Sequence, residues 1–179
     1  MAGITLGDPA PAFELPGTDG KSYAVSEISE PGVRVTVVYW TCNHCPYALA
    51  WHDRLIEVAN DYGGQGVRFL AINSNDAKKY PDDSFAAMKE RVKTEGNWPH
   101  PYLHDESQQV AKEYGAKKTP DLYVFDADMK LRYRGAPDAD YEDPSQEAAW
   151  LRAAIDDLLG GRQVEMAESE PVGCSLKWK

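Results

Sequence analysis

The sequence predicts an α/β domain whose central mixed β-sheet is flanked by helices. Residues 33–40, "VRVTVVYW", form a β-branched apolar run typical of a strand buried on both faces. "VRFLAIN", residues 67–73, is a second such strand, and a helical stretch separates the two, which predicts a parallel pair. "PDLYVFD" and "KLRYRG" follow with only a short turn between them and predict an antiparallel pair. The sheet should therefore be mixed.

The segments around these strands have their own signals. Two extended segments, 12–15 and 21–25, flank a turn rich in Gly and Pro and predict an N-terminal β-hairpin. The helix after the first strand is indicated by apolar residues three and four apart, namely Ala48, Trp51, Leu55, Val58 and Tyr62. Two more helical patterns end at Gly96 and Gly115, and "HPYLHDE" between them is a loop with room for a short strand.

The C-terminal part should contain one helix and a tail. Asp143, Pro144 and Gln146 supply a cap, a first-position proline and a capping-box partner, which predicts a helix beginning there and ending at Gly160. The last 18 residues show no clear period and are expected to lie on the surface. We therefore predict one domain over residues 1–161, with a tail over residues 162–179 packed on or near it.

Composition limits the function. A length of 179 residues suggests one domain, and a net charge of −10 argues against nucleic acid, because neutralising phosphates requires clustered Lys and Arg. Nothing approaches the ~20 consecutive apolar residues of a membrane span. No basic residue precedes Lys21, and no apolar stretch there is long enough for a signal peptide. We expect a soluble cytoplasmic protein with no nucleic-acid or membrane partner.

The segment "TCNHCPYA" places Cys42 and Cys45 three residues apart between the first buried strand and its helix. A structural disulfide there would close a tiny loop and contribute only about 2 kcal/mol. A zinc site would need a second ligand pair, whereas the remaining histidines are scattered. A reactive redox pair is the third interpretation. The position of the motif favours it without excluding the other two.

The redox interpretation gives each cysteine a role. At a helix start, the Cys42 sulfur would face unpaired N–H groups and the positive end of the helix dipole, both of which stabilise a thiolate. We therefore expect the pKa of Cys42 to lie well below the free-thiol value of about 8.5. Cys42 would attack a disulfide, and Cys45, one turn on, would resolve the intermediate and form a Cys42–Cys45 disulfide. Asn43 and His44 are candidates for tuning the potential of the pair, and His44 would make the disulfide more oxidising.

The order of elements, the Cys-x-x-Cys at the first helix and Thr119-Pro120 before the next strand resemble the thioredoxin superfamily. The N-terminal segment "LGDPAPAFELPGTDGKSYAVSEI" is similar to the redoxin branch, which holds the AhpC/TSA family and the thiol-disulfide interchange proteins. "CNHCPY", "INSND" and the closing "GCSLKWK" resemble a group of bacterial redoxins. The resemblance covers nearly the whole chain.

This resemblance implies a thioredoxin-like fold with an insertion between the second core strand and Pro120. It implies a cis Pro120 packed against the two cysteines. Thr119 and Pro120, with Trp40 and Thr41, are then candidates for shaping a substrate groove. The implied partners are protein or small-molecule thiols and disulfides together with an unidentified electron donor, and no cofactor or metal is implied.

The sequence departs from its relatives in several places. Thioredoxins keep a buried carboxylate in the strand before the motif, but no Asp or Glu occurs in residues 33–41, so His44, Asp76 or water must accept the proton. The peroxiredoxin pattern Pro-x-x-x-Thr-x-x-Cys is also missing. A thiol peroxidase of the AhpC/TSA type therefore stays an alternative, as does a redox-sensing or metal-binding module. Cys174 in the tail is a candidate third thiol.

Overall fold

The computed structural model describes residues 3–179. The strands are β1 (Phe13–Pro16), β2 (Ser22–Val25), β3 (Val35–Trp40), β4 (Val67–Asn73), β5 (Tyr102–His104), β6 (Lys118–Thr119), β7 (Asp121–Phe125), β8 (Leu131–Gly135) and β9 (Cys174–Ser175). The α-helices are α1 (Pro46–Tyr62), α2 (Phe85–Glu95), α3 (Gln109–Tyr114) and α4 (Ala149–Leu159). Short 3₁₀ turns lie at Gly63–Gln65, Pro81–Asp83 and Pro144–Gln146.

Five strands form the central sheet in the order β5-β4-β3-β7-β8. Strand β3 lies in the middle, parallel to β4 and antiparallel to β7, so the predicted mixed sheet is confirmed. All six residues of β3 are buried, as its uninterrupted apolar run predicted. The apolar side chains on the two faces of the sheet belong to two separate core clusters. The end of β3 is therefore a rigid support for residues 41–45, which follow Trp40.

The predicted N-terminal hairpin is present, because β1 and β2 pair in antiparallel register. The insertion between β4 and Pro120 contains α2, β5 and α3, and β5 adds to the edge of the sheet beside β4. Helix α2 has Ser84 as its cap, whose side chain accepts the Ala87 N–H at 3.1 Å. The 3₁₀ turn that precedes α2 lies close to the start of α1, because Asp83 accepts the Asn43 N–H at 2.7 Å.

The predicted start of the last helix is wrong. Asp143 caps the 3₁₀ turn only, accepting the Ser145 N–H at 3.0 Å. Glu147 and Ala148 then take left-handed backbone conformations with φ of 54° and 55°, which interrupt the helix. The Ala148 N–H donates to a carboxylate oxygen of Asp138 at 2.9 Å, and that bond fixes the interruption. The α-helix therefore begins at Ala149.

Helix α1 is held in place by a buried ion pair. Asp138 is 1% exposed and accepts the Trp51 indole N–H at 2.9 Å and an Arg54 guanidinium N–H at 2.8 Å. The Arg54 guanidinium also donates to the backbone oxygen of Asp140 at 3.0 Å. Because the buried charge has a fixed partner, α1 is locked to the loop after β8. The start of α1, where the cysteines lie, is thereby held at the end of β3.

The C-terminal residues are more tightly bound to the domain than a surface tail would be. Strand β9 pairs antiparallel with β6, and Leu176 is 3% exposed. The Lys177 N–H donates to the Asn75 side chain at 2.9 Å, and the Lys177 oxygen accepts the Asp76 N–H at 2.8 Å. These contacts pack the C-terminal residues on the domain, and the division at residue 161 stays a prediction. Within residues 3–179, no helix is both long and apolar enough to cross a membrane.

Candidate active site

The two motif cysteines lie between β3 and α1 with their thiols fully buried. Cys45 is the N-cap residue of α1, and Pro46 occupies the first helical position. The Cys42 sulfur accepts the Cys45 N–H at 3.3 Å. The Cys42 sulfur therefore meets a backbone donor at the start of α1, where negative charge is stabilised.

The peptide bond between Thr119 and Pro120 is cis, as the resemblance implied. Contact with the cysteines is made through Thr119. Its hydroxyl lies 3.5 Å from the Cys42 sulfur, and its carbonyl oxygen accepts the Cys45 thiol at 3.3 Å. One residue thus touches both sulfurs from the side opposite α1.

A buried carboxylate that the sequence did not reveal lies beside Cys42. Asp83 is fully buried, and one of its oxygens lies 2.5 Å from His44 Nδ1. The Asn43 N–H donates to the other oxygen at 2.7 Å. The Cys42 sulfur, a His44 ring nitrogen and an Asp83 oxygen all lie within 4.8 Å of one another. No spacing in the sequence pointed to Asp83, which reaches the motif from the turn before α2.

Asp76 was a candidate proton acceptor, and the structure places it elsewhere. Its carboxylate accepts the Lys78 N–H at 3.0 Å and lies 3.9 Å from the Lys79 ammonium. Its backbone N–H is bound by Lys177. The carboxylate grouped with the Cys42 thiol is Asp83, and a role for Asp76 as proton acceptor stays a prediction.

Trp40 and Thr41 are buried, and their predicted role in a substrate groove stays a prediction. Trp40 is fully buried and donates its indole N–H to the Ser74 hydroxyl at 2.9 Å. Thr41 is 2% exposed, and its N–H is bound by the Ile72 oxygen. Trp40 ends the central strand β3 and Thr41 follows it, so the sheet and its covering loops enclose both residues. They form a buried support for the cysteine motif.

Asn43 ties the motif to the insertion. Its side-chain oxygen accepts the Tyr102 hydroxyl at 2.8 Å and an Arg91 guanidinium N–H at 3.0 Å. The same Arg91 nitrogen donates to the Cys42 backbone oxygen at 3.0 Å, and Arg91 pairs with Glu95. Arg91, which no sequence pattern indicated, therefore holds the backbone of the motif loop.

The two motif thiols share one proton. The hydrogen bond from Cys42 lowers the pKa of Cys45 to about 4, and the Cys174 thiol and the Ala48 N–H contribute. The same bond, together with burial and the negative charge of Asp83, raises the pKa of Cys42. The expectation that Cys42 carries the low pKa is thus wrong for the reduced pair.

This arrangement makes the thiolate content of the reduced protein insensitive to pH near neutrality. A lowered pKa means that the thiolate persists above that pKa and is lost only as the pH falls through it, so one thiolate per chain should persist between about pH 5 and pH 8. Replacing Cys42 by alanine removes the donor, so the thiolate of Cys45 should disappear at a higher pH than in the wild type. Ultraviolet thiolate absorbance during titration measures this, with Ser175→Ala as the matched control. Superimposable titrations of wild type and Cys42→Ala would contradict the shared proton.

Asp83 also bears on metal binding. Thiolate, imidazole and carboxylate are all ligand types that zinc accepts. Asp83, however, already accepts hydrogen bonds from Asn43, from Asn73 at 3.1 Å and from Asn75 at 3.1 Å, besides its contact with His44. A carboxylate offers about four lone pairs, and these four partners occupy them. The cluster is therefore built as a hydrogen-bonded network rather than as an open set of metal ligands.

Comparison with known families agrees with this geometry. The profile of the AhpC/TSA family matches residues 6–134. The chain belongs to this family. The uncharacterized conserved protein from Geobacillus kaustophilus is similar over almost the whole length, with 43% identity, a TM-score of 0.89 and coverage of 98% of this chain and 93% of that one. The family membership that the sequence suggested is thus confirmed.

Two further comparisons, one with a solved structure and one with a curated sequence, concern this AhpC/TSA chain. The exposed lipoprotein thioredoxin from Streptococcus pneumoniae strain TIGR4 has a TM-score of 0.60 at 23% identity, covering 78% of this chain and 98% of that one, which confirms a thioredoxin-like fold. The thiol:disulfide interchange protein DsbE of Yersinia pestis is 27% identical over 135 residues. That match covers 74% of this chain but only 65% of the relative's length.

Proposed function

We propose that the protein is a thiol–disulfide oxidoreductase whose redox centre is the pair Cys42 and Cys45. The observation that carries the proposal is the contact of both sulfurs with Thr119 within one buried cluster. A reduced pair that already holds a thiolate is a nucleophile at neutral pH. The curated relative from Yersinia pestis, named as a thiol:disulfide interchange protein, supports the same chemistry.

The shared proton supplies the base that the strand before the motif lacks. When a disulfide docks, Cys42 passes its proton to the Cys45 thiolate and attacks one substrate sulfur, and the other leaves as a thiolate. Cys45 then returns its proton to that leaving thiolate and attacks Cys42. The Cys42–Cys45 bond forms, the mixed disulfide breaks, and the substrate leaves as one thiol and one thiolate, which takes its proton from water. The substrate gains two electrons and the pair loses two.

His44 and Asp83 tune this cycle together. His44 was expected to make the pair more oxidising by stabilising a thiolate on Cys42. The adjacent Asp83 carboxylate acts in the opposite sense, because its charge raises the pKa of Cys42. The redox potential therefore depends on the Asp83 charge and on the His44 ring beside it. A thiol donor must return the electrons, and a cytoplasmic location, where glutathione keeps such pairs reduced, is part of the proposal.

Turnover of a chromogenic aromatic disulfide with glutathione as reductant tests the proposal. We expect the protein to accelerate the reaction, and stoichiometric oxidation to yield a Cys42–Cys45 disulfide within the tryptic peptide 35–54. Inactive protein that forms no such bond would overturn the proposed function.

A thiol peroxidase is the second candidate, because the Thr119 hydroxyl lies 3.5 Å from the Cys42 sulfur and the Arg91 side chain contacts Cys42. The Arg91 guanidinium, however, donates to the Cys42 backbone oxygen and pairs with Glu95 at 2.6 Å. The Arg91 guanidinium is therefore bound to the Cys42 backbone and to Glu95, and not to the Cys42 sulfur. The Asp83 carboxylate also places a negative charge near the Cys42 sulfur, where attack on a peroxide would build further negative charge.

A further inference from the structure

The C-terminal strand lies along Thr119. In the β6–β9 pair, Cys174 is the register partner of Thr119, and Ser175 is the partner of Lys118. The Leu176 N–H extends the ladder by donating to the Lys117 oxygen at 3.0 Å. The chain thus supplies its own strand to the backbone edge next to the cis peptide bond. A docking substrate strand would need the same edge.

Gly173 allows this close approach. A Cβ atom at residue 173 would lie 2.2 Å from the Thr119 oxygen and 3.2 Å from the Pro120 nitrogen. Both neighbours are backbone atoms and cannot move aside as a side chain can. A residue larger than glycine would therefore push β9 away from the cis peptide bond.

The register of β9 against β6 places a third thiol beside Cys42 and Cys45. Cys174 packs against the cluster formed by Cys42, Cys45 and Ala48. Cys42 and Cys45 are fully buried, whereas Cys174 is partly exposed. Among the three thiols, Cys174 is the one in contact with both the pair and the solvent.

We propose that Cys174 is a third exchanging thiol, through which the oxidised Cys42–Cys45 pair is reduced from the protein surface. This inference rests on the proposed function. The Cys174 thiolate attacks the Cys45 sulfur, the Cys45–Cys174 bond forms, and Cys42 leaves as a thiolate. This step moves the disulfide without net oxidation. A donor thiolate then attacks Cys174 and frees Cys45, and a second donor thiol releases Cys174 as a thiol.

Oxidation of the pair prepares Cys174 for this attack. In the reduced protein, burial, the hydrogen bond with Cys45 and the charge on Cys45 raise the pKa of Cys174 to about 11. A Cys42–Cys45 disulfide carries no charge, so the charge effect of Cys45 disappears. Lys177 and Lys118, which lower the pKa of Cys174, remain. Cys174 thus becomes more reactive when its target is formed.

The contact itself is tested in the Cys42→Ser variant, which keeps only Cys45 and Cys174. Oxidation with one equivalent of diamide should give a monomer in which peptide 35–54 is cross-linked to peptide 163–177 after tryptic digestion without reductant. Disulfide-linked dimers, or a Cys174 that still alkylates completely, would overturn the proposal.

The role in turnover is tested by reducing the fully oxidised protein with glutathione. We expect Cys174→Ser to slow this step about tenfold, because an external thiol must then reach a buried disulfide. Gly173→Ala should slow it similarly with Cys174 intact, and Ser175→Ala, on the same strand, is the matched control. If the wild type forms no Cys42–Cys45 disulfide, the proposed function fails. If it does, and the wild type and Cys174→Ser are reduced equally fast, only the role of Cys174 fails.

Discussion

Replacing Cys42 by serine is expected to lower kcat/KM for disulfide reduction by roughly three orders of magnitude or more. The hydroxyl cannot form the mixed disulfide, so the first covalent step is lost. Replacing Cys45 by serine should also stop turnover but leave the first step possible, because Cys42 keeps its backbone donor at Cys45 and the Thr119 hydroxyl. Only the Cys45→Ser variant should therefore accumulate mixed disulfides with its substrates.

The measurement is non-reducing electrophoresis after alkylation in cells, followed by mass spectrometry of the adducts. The double variant Cys42→Ser/Cys45→Ser is the control, because it reports what Cys174 captures alone. Equal trapping by the two single variants would show that the order of attack is wrong. Circular dichroism of each variant separates loss of chemistry from loss of fold.

Much of the fold could be predicted because its signals are local. Strand β3 has six consecutive buried residues, and the apolar face of α1 repeats at three and four, so sequence periodicity identified both. The cis peptide bond was predicted from resemblance through Thr119-Pro120. The start of α4 was misjudged because Asp143 caps only a short 3₁₀ turn, and a distant carboxylate, Asp138, decides where the helix begins.

The site was harder to predict because its partners are distant in sequence. Asp83 has acidic neighbours and no distinguishing spacing, and only the folded insertion brings it to His44. Strand β9 has two residues, too few to show a period, and its place depends on the missing side chain of Gly173. The order of the two thiol pKa values depends on the interaction between the two thiols in the fold, which no spacing in the sequence shows.

Disulfides are expected to oxidise the reduced pair faster than hydrogen peroxide does, and the reason lies beside Cys42. Attack on a peroxide builds negative charge on the departing oxygen, which needs a donor or a cation close to the sulfur. The nearby cation, Arg91, is bound to the motif backbone and to Glu95, and the nearby carboxylate is Asp83. A disulfide instead leaves as a stabilised thiolate. A difference of about 1.4 kcal/mol between the two barriers already gives a tenfold preference.

The Asp83→Asn variant should change the rates of the peroxide and disulfide reactions by different amounts. The substitution removes the negative charge beside Cys42 and retains an oxygen that can accept the Asn43 N–H. The rate with peroxide should rise more than the rate with disulfide, because the peroxide reaction is the one that the charge opposes. Asp82→Asn, at the exposed neighbouring position, is the matched control. An equal rise with both oxidants would contradict this assignment of Asp83.

Stopped-flow competition between equimolar hydrogen peroxide and glutathione disulfide for the reduced wild-type protein tests the central claim most directly. The product at the pair is identified by peptide mapping, and the rate of each reaction is followed separately. Thiol–disulfide exchange predicts that the disulfide reacts about tenfold faster or more. If peroxide is faster by orders of magnitude, the pair serves a peroxidase, and thiol–disulfide exchange is not its main reaction.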